Sequence, residues 1–122
     1  MTVPTLDVLA IGNAIVDVIA QADDPFLGQE GLVKGSMRLI DTAEAERLYD
    51  RMAAGIEASG GSAANTAAGL AALGARAGFI GQVAQDQLGA VFTHDIRASG
   101  VHFATAPRTA EPPTARCLIL VT

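Results

Sequence analysis

Short runs of Val, Ile and Leu alternate along this chain with longer, alanine-bearing stretches that stop at glycine, and this alternation restricts the fold more than any other feature. Residues 6–11 read as a buried strand ending at Gly12, and residues 15–19 as a second strand after a tight Gly12-Asn13-Ala14 link. Residues 23–35 hold Pro25, Gly28, Gly31 and Gly35 and read as a loop, and residues 36–40 as a short strand. Asp41 followed by Glu44 is a helix-start signal, predicting a helix to about residue 54 with Ala45, Leu48, Tyr49 and Met52 on one face. Residues 55–61 read as a glycine loop, and residues 62–73 as an alanine-rich helix stopped by Gly74. A strand over 77–83 precedes a helix over 85–99, capped by Asp86, with Leu88, Val91, Phe92 and Ile96 facing inward and Gly100 closing it. Residues 101–104 read as a further strand, 106–113 as a loop, and 116–121 as a last strand. Strands alternating with helices predict an α/β fold with a largely parallel sheet.

Charge and cysteine usage narrow the function. A net charge of −5 argues against nucleic acid or an anionic membrane as the main partner. The lone Cys117 has no internal disulfide partner, which fits a reducing cytoplasm. The opening residues 1–7 lack a basic segment of the secretory kind, and the apolar stretch 8–20 is interrupted by Asp17 and too short to span a bilayer. The expectation is a soluble cytoplasmic protein. Its 122 residues, half of them hydrophobic, suffice for one modest core or for part of a larger domain. The last strand has little sequence left to pair with, which suggests an unfinished domain.

Several motifs fail on order or context. Lys34-Gly35-Ser36 reverses the Gly-Lys-Ser of a phosphate loop. Gly12-Asn13-Ala14 lacks the later glycines of a dinucleotide fingerprint. Gly60-Gly61-Ser62-Ala63-Ala64 has the outline of a nucleophile elbow, but residues 55–59 do not read as the strand that motif requires. His94 and His102 lie late in the chain, and no His, Cys or carboxylate cluster has metal-ligand spacing.

Two segments remain. Ile11-Gly12-Asn13-Ala14-Ile15-Val16-Asp17 sets an amide and a carboxylate just after a buried strand, where open α/β sheets bind ligands. The pair is either a turn asparagine with an edge-strand aspartate, or a polyol site in which Asp17 accepts from vicinal hydroxyls and Asn13 donates and accepts. Gly60-Gly61-Ser62-Ala63-Ala64-Asn65 leads into a helix. It is either a flexible turn with a solvated Asn65, or a cradle in which bare glycine backbone and helix-start N–H groups meet a ligand.

Taken together these segments resemble the ribokinase-like PfkB kinases. Gly60, Gly61, Asn65, Ala67 and Gly74 match that family's Gly-Gly-x-x-x-Asn-x-Ala segment and the glycine ending its helix. Val83-Ala84-Gln85-Asp86-Gln87-Leu88-Gly89 matches its Val-Gly-x-Asp-x-x-Gly segment with one departure: Ala84 stands in place of glycine, which asks for an ordinary backbone conformation or a small adjustment there. Gly100-Val101 and Pro113-Thr114-Ala115-Arg116-Cys117 resemble the family's helix end and lid strand, and the likeness is greatest to the adenosine-kinase-like branch.

The resemblance implies the amino-terminal portion of a three-layer α/β/α fold over residues 1–122, with strands of a small β lid near 36–40 and 114–122. It implies that acceptor hydroxyls meet Asn13, Asp17, Gly60, Gly61, Ser62 and Asn65, with Asp17 the strongest contact, and that Arg116 and Cys117 contact the acceptor from the lid. Arg116 also reads as a plain surface or lid charge, and Cys117 as a small buried hydrophobe. The implied reaction is transfer of the ATP γ-phosphoryl group to a sugar or ribonucleoside hydroxyl with Mg2+. The family's Gly-Ala-Gly-Asp-type catalytic segment and its metal-associated Asn-x-x-Glu segment do not occur here, so no catalytic or metal-binding residue is assigned and the chain alone is expected to be inactive. The alternative is a non-catalytic sugar- or nucleoside-binding module, or one that self-associates through lid strands or an exposed sheet edge.

Overall fold

The computed structural model describes residues 5–122; residues 1–4, part of the opening searched above for a secretory segment, lie outside the described residues. β1 (Val8–Ile11) pairs in parallel with β4 (Ala77–Ile80), setting Ala10 beside Phe79. Alternation along these strands turns Phe79 into the core and leaves Leu9, Ile11 and Ile80 exposed on the other face. β2 (Ile15–Gln21) is the centre of a second sheet of order β3-β2-β5. It runs antiparallel to β3 (Ile56–Gly60) and parallel to β5 (Ala115–Val121).

The α/β expectation holds, but two sheets replace the single largely parallel one. The glycine-loop reading of residues 55–61 is also corrected: most of it is β3. Ile56-Glu57-Ala58-Ser59-Gly60 has little intrinsic strand preference, and its pairing with β2 from Ile19 to Ile15 imposes the conformation.

Residues 23–35 are not all loop. Asp23 accepts from the Phe26 N–H at 2.9 Å and Pro25 occupies the first turn, where proline is favoured, so α1 (Asp24–Gln29) forms in spite of its glycine. Residues 36–40, expected as a lid strand, have no strand partner among the described residues, and Met37 and Leu39 stay 80% and 88% exposed. α2 (Thr42–Arg51) starts on Asp41, which accepts from the Glu44 N–H at 2.8 Å; Glu44 itself pairs with Arg38 rather than folding back on the cap. Glu30 docks α1 on α2: its buried carboxylate takes Arg47 at 2.8 Å and also Arg51. The Arg47 hydrogen bond holds the Glu30 carboxyl below its usual range against the opposing effect of desolvation.

α3 (Ser62–Ala72) and α4 (Gln87–Ala98) end, as expected, at left-handed Gly74 and Gly100. Leu88, Phe92 and Ile96 of α4 meet Val16 and Val18 of β2 and Phe79 of β4, so one core joins both sheets. Phe79, Phe92 and Phe103 close its centre, with ring centroids 5.4–5.9 Å apart. Residues 101–104 contribute a single parallel bridge, Gly78 to His102, rather than a strand. No helix among the described residues is long and apolar enough to cross a membrane.

Candidate functional site

Asp17 lies mid-strand between two fully buried neighbours, Val16 and Val18. Strand alternation therefore sends its carboxylate to the opposite, open face of the β3-β2-β5 sheet. There its register partners are Ala58 and Cys117. Gly60 of the same face has no side chain, and the carboxylate occupies that space. A Cβ on Gly60 would stand 2.4 Å from Oδ2, 2.6 Å from Cγ and 2.8 Å from Oδ1 of Asp17. A glycine is thus required at position 60 for contact, not for flexibility.

At the next residue the demand is on the backbone. Gly61 has φ +96°, turning the chain from β3 directly into α3, and a Cβ there would lie 2.7 Å from the Asn13 carbonyl oxygen. A Cβ on Gly12 would lie 2.7 Å from Cβ of Ala63, so the β1–β2 link and the start of α3 are in close contact. The structure therefore brings both sequence segments to one junction. Asn13, Ser62 and Asn65 are exposed there, Asp17 and Gly61 are half-buried and Gly60 is buried. Asn65 sits in the first turn of α3, its N–H donating to the Gly61 carbonyl at 2.8 Å. Among the described residues no side chain caps α3, which leaves its opening N–H groups available to an external acceptor. One carboxylate acceptor, two amides, a hydroxyl and main-chain donors suit a neutral ligand rich in hydroxyls.

The two lid residues part company. Cys117 is exposed beside Asp17, which corrects its reading as a buried hydrophobe. Local desolvation, and then the neighbouring Asp17 charge, push its thiol pKa up and keep it protonated. Arg116 alternates to the other face, where its guanidinium lies 5.7 Å from the centroid of the Tyr49 ring. There it links β5 to α2, on the face away from Asp17. Tyr49 in turn donates its hydroxyl to Glu57 of β3, a bond that raises the Tyr49 pKa.

Asp86 is a tie rather than a ligand. Its carboxylate accepts from the Gly89 N–H at 2.8 Å, the Thr114 N–H at 2.9 Å and the Thr114 hydroxyl at 2.6 Å. Burial works to raise its pKa, and these bonds from Thr114 and Gly89 outweigh it, so the net shift is downward. Thr114 Oγ1 also accepts from the Ala84 N–H at 2.9 Å. The start of β5 is thereby fixed to the start of α4. Ala84, the departure from the family pattern, needs no left-handed backbone, since all positive-φ residues described are glycines.

β3 does lead directly into Gly61 and Ser62, so the strand missing from the nucleophile-elbow reading is present. The histidines lie elsewhere: His94 is on the exposed face of α4 against Asp95, and His102 is in the bridge to Gly78. Among the described residues no group of three or more His, Cys, Asp or Glu could hold a metal ion. A groove of about 870 Å³ runs along α4 past Asp86, Thr93, Arg97 and Pro107, and contains none of the site residues above.

Two contacts were out of reach of the sequence. The Asp86–Thr114 tie spans 28 positions. The Ser59 N–H donates to the Asp95 carboxylate at 3.1 Å across 36 positions. A local pattern signals Asp86 as a cap, but nothing signals its second partner or the role of Asp95.

Known proteins resemble this chain in sequence and fold. The pattern of the pfkB family of carbohydrate kinases matches residues 6–122. The adenosine kinase of Sinorhizobium meliloti is 61% identical over 97% of this chain and 36% of its own, with a TM-score of 0.82. A probable sugar kinase protein from Rhizobium etli is 57% identical over 96% of this chain and 36% of its own, also at 0.82. The Schistosoma mansoni adenosine kinase in complex with adenosine and AMP is 21% identical at TM-score 0.78, a likeness of fold alone. The chain spans about 36% of the length of the first two. It belongs to the pfkB family of carbohydrate kinases.

Proposed function

We propose that this chain carries the acceptor-binding site of an ATP-dependent kinase acting on a ribose-bearing nucleoside or a sugar. The placement of the Asp17 carboxylate directly over Gly60, beside the uncapped start of α3, carries this reading. Asp17 accepts hydrogen bonds from two neighbouring hydroxyls of the acceptor, and a charged acceptor makes the tighter bonds. Asn13, Ser62 and Asn65 complete the polar rim, and the Gly61 backbone lets the ligand approach closely. The identity to the Sinorhizobium meliloti adenosine kinase favours adenosine among the acceptors.

ATP and Mg2+ are the co-substrate and metal that the family implies. ATP supplies the phosphoryl group when bound, but the residues described here include no metal-holding cluster, and no step through the ion is assigned to them. The part this chain plays is to bind and orient the acceptor; the base and the donors that stabilise developing charge come from elsewhere in the kinase.

The open sheet face favours a second reading. Ile19, Ile56 and Val121 are 36%, 70% and 40% exposed on the same side as Asp17, a surface suited to self-association. Calorimetry of the 122-residue chain with adenosine, ribose and fructose tests the first reading, with light scattering run alongside. Saturable binding that Asp17→Ala weakens about ten- to a hundredfold supports it. No heat with any of the three, in a chain that forms dimers, supports the second.

A further inference from the structure

We infer that Asp95 is a positioning residue for the acceptor site, acting by holding strand β3 in place. Among the described residues β3 is an edge strand, with β2 its only neighbour in the sheet. Edge strands leave every second N–H without a strand partner. At Ser59 that N–H donates at 3.1 Å to Oδ2 of Asp95, which lies in the C-terminal half of α4. Ser59 immediately precedes Gly60 and Gly61, whose positions define the space for the Asp17 carboxylate and the turn into α3.

The bond therefore connects the helix that fills the core to the strand that shapes the site. α4 is a firm support: Phe92 and Ile96, on either side of Asp95 in sequence, are at most 1% exposed. The contact is also specific to one carboxylate oxygen, since Oδ1 of Asp95 faces His94 Nδ1 at 3.3 Å. Without Asp95 the Ser59 N–H loses its partner. The Tyr49 bond to Glu57 still holds the far part of β3, but among the described residues no hydrogen bond from α4 then fixes the backbone next to Gly60 and Gly61. The consequence for affinity rests on the acceptor reading proposed above; the consequence for the strand does not.

The test compares Asp95→Ala and Asp95→Asn in the 122-residue chain, by amide hydrogen exchange and by calorimetry with adenosine. Asp95→Ala should speed exchange at Ser59 by about tenfold or more, shift the Gly60 and Gly61 amide resonances, and weaken adenosine about tenfold. Asp95→Asn keeps an oxygen acceptor for the Ser59 N–H. It should restore adenosine affinity to within about threefold of wild type while exchange at Ser59 stays faster, because a neutral acceptor bonds less strongly. Unchanged exchange and unchanged Gly60 and Gly61 resonances in Asp95→Ala overturn the inference, and so does an asparagine variant as defective as the alanine one. Should Asp95→Ala not fold, Asp95→Asn decides, and wild-type exchange at Ser59 in that variant overturns the proposal. If wild type binds no adenosine, the acceptor reading falls and the exchange data alone judge the role of Asp95.

Discussion

Gly60→Ala should weaken acceptor binding through Asp17 without touching the acceptor itself. The new methyl carbon would lie 2.4 Å from Oδ2 of Asp17, and ordinary contact begins near 3.4 Å, so the carboxylate must retreat by about 1 Å. A shift of that size breaks hydrogen bonds aimed at fixed hydroxyls. Bonds to a charged group are worth about 1.5–3 kcal/mol, so affinity should fall about ten- to a hundredfold. Stability should fall less, toward the lower end of the roughly 1–3 kcal/mol seen for overpacking, because Asp17 sits on an open face and can swing outward. Calorimetry with adenosine and urea unfolding of the same samples separate the two effects. The decisive comparison adds Asp17→Gly, alone and with Gly60→Ala. If the methyl group acts through the carboxylate, Gly60→Ala costs almost nothing once the carboxylate is gone. Additive losses, or wild-type affinity in Gly60→Ala, would refute the reasoning.

Two further outcomes follow from the same structure. Gly61→Ala places a side chain at φ +96° and 2.7 Å from the Asn13 carbonyl oxygen; it should lose about 1–3 kcal/mol in denaturant unfolding, and a loss below about 0.5 kcal/mol would contradict the strained turn. Asp7 is hydrogen-bonded by Arg76, which lowers its pKa from 3.8 to about 2. Its folded pKa lies below the unfolded one, so its contribution is complete above the unfolded value and is lost as pH falls through the folded value. The melting temperatures of wild type and Asp7→Asn should therefore converge between about pH 4 and pH 2, and a constant gap across that window would exclude the linkage.

The elements legible in the sequence are those whose signal is local. α3 and α4 are marked by apolar spacing, by the Asp86 cap of α4 and by their terminal glycines, and β1, β2 and β5 by dense Val, Ile and Leu. The unreadable ones are set by neighbours. β3 is a strand because β2 lies beside it, and α1 exists because Asp23 caps a segment whose composition suggests a loop. For the candidate site, residue types alone leave both segments open between a plain turn and a ligand cradle; the family resemblance singles out Asn13, Asp17 and the Gly60–Asn65 segment, and the fold brings them to one junction. The face on which a strand residue falls follows from alternation once one buried neighbour is known. It separates Cys117 from Arg116, although the sequence places them side by side. Asp95 carries no local mark, because its partner Ser59 lies on an element the sequence does not reveal.

The central claim is that Asp17 recognises the vicinal hydroxyls of the acceptor. The most direct measurement is the affinity of wild type and Asp17→Asn for adenosine and for 2′,3′-dideoxyadenosine. The account predicts that wild type prefers adenosine about ten- to a hundredfold, and that most of this preference disappears in Asp17→Asn. Equal discrimination by the two proteins would contradict it.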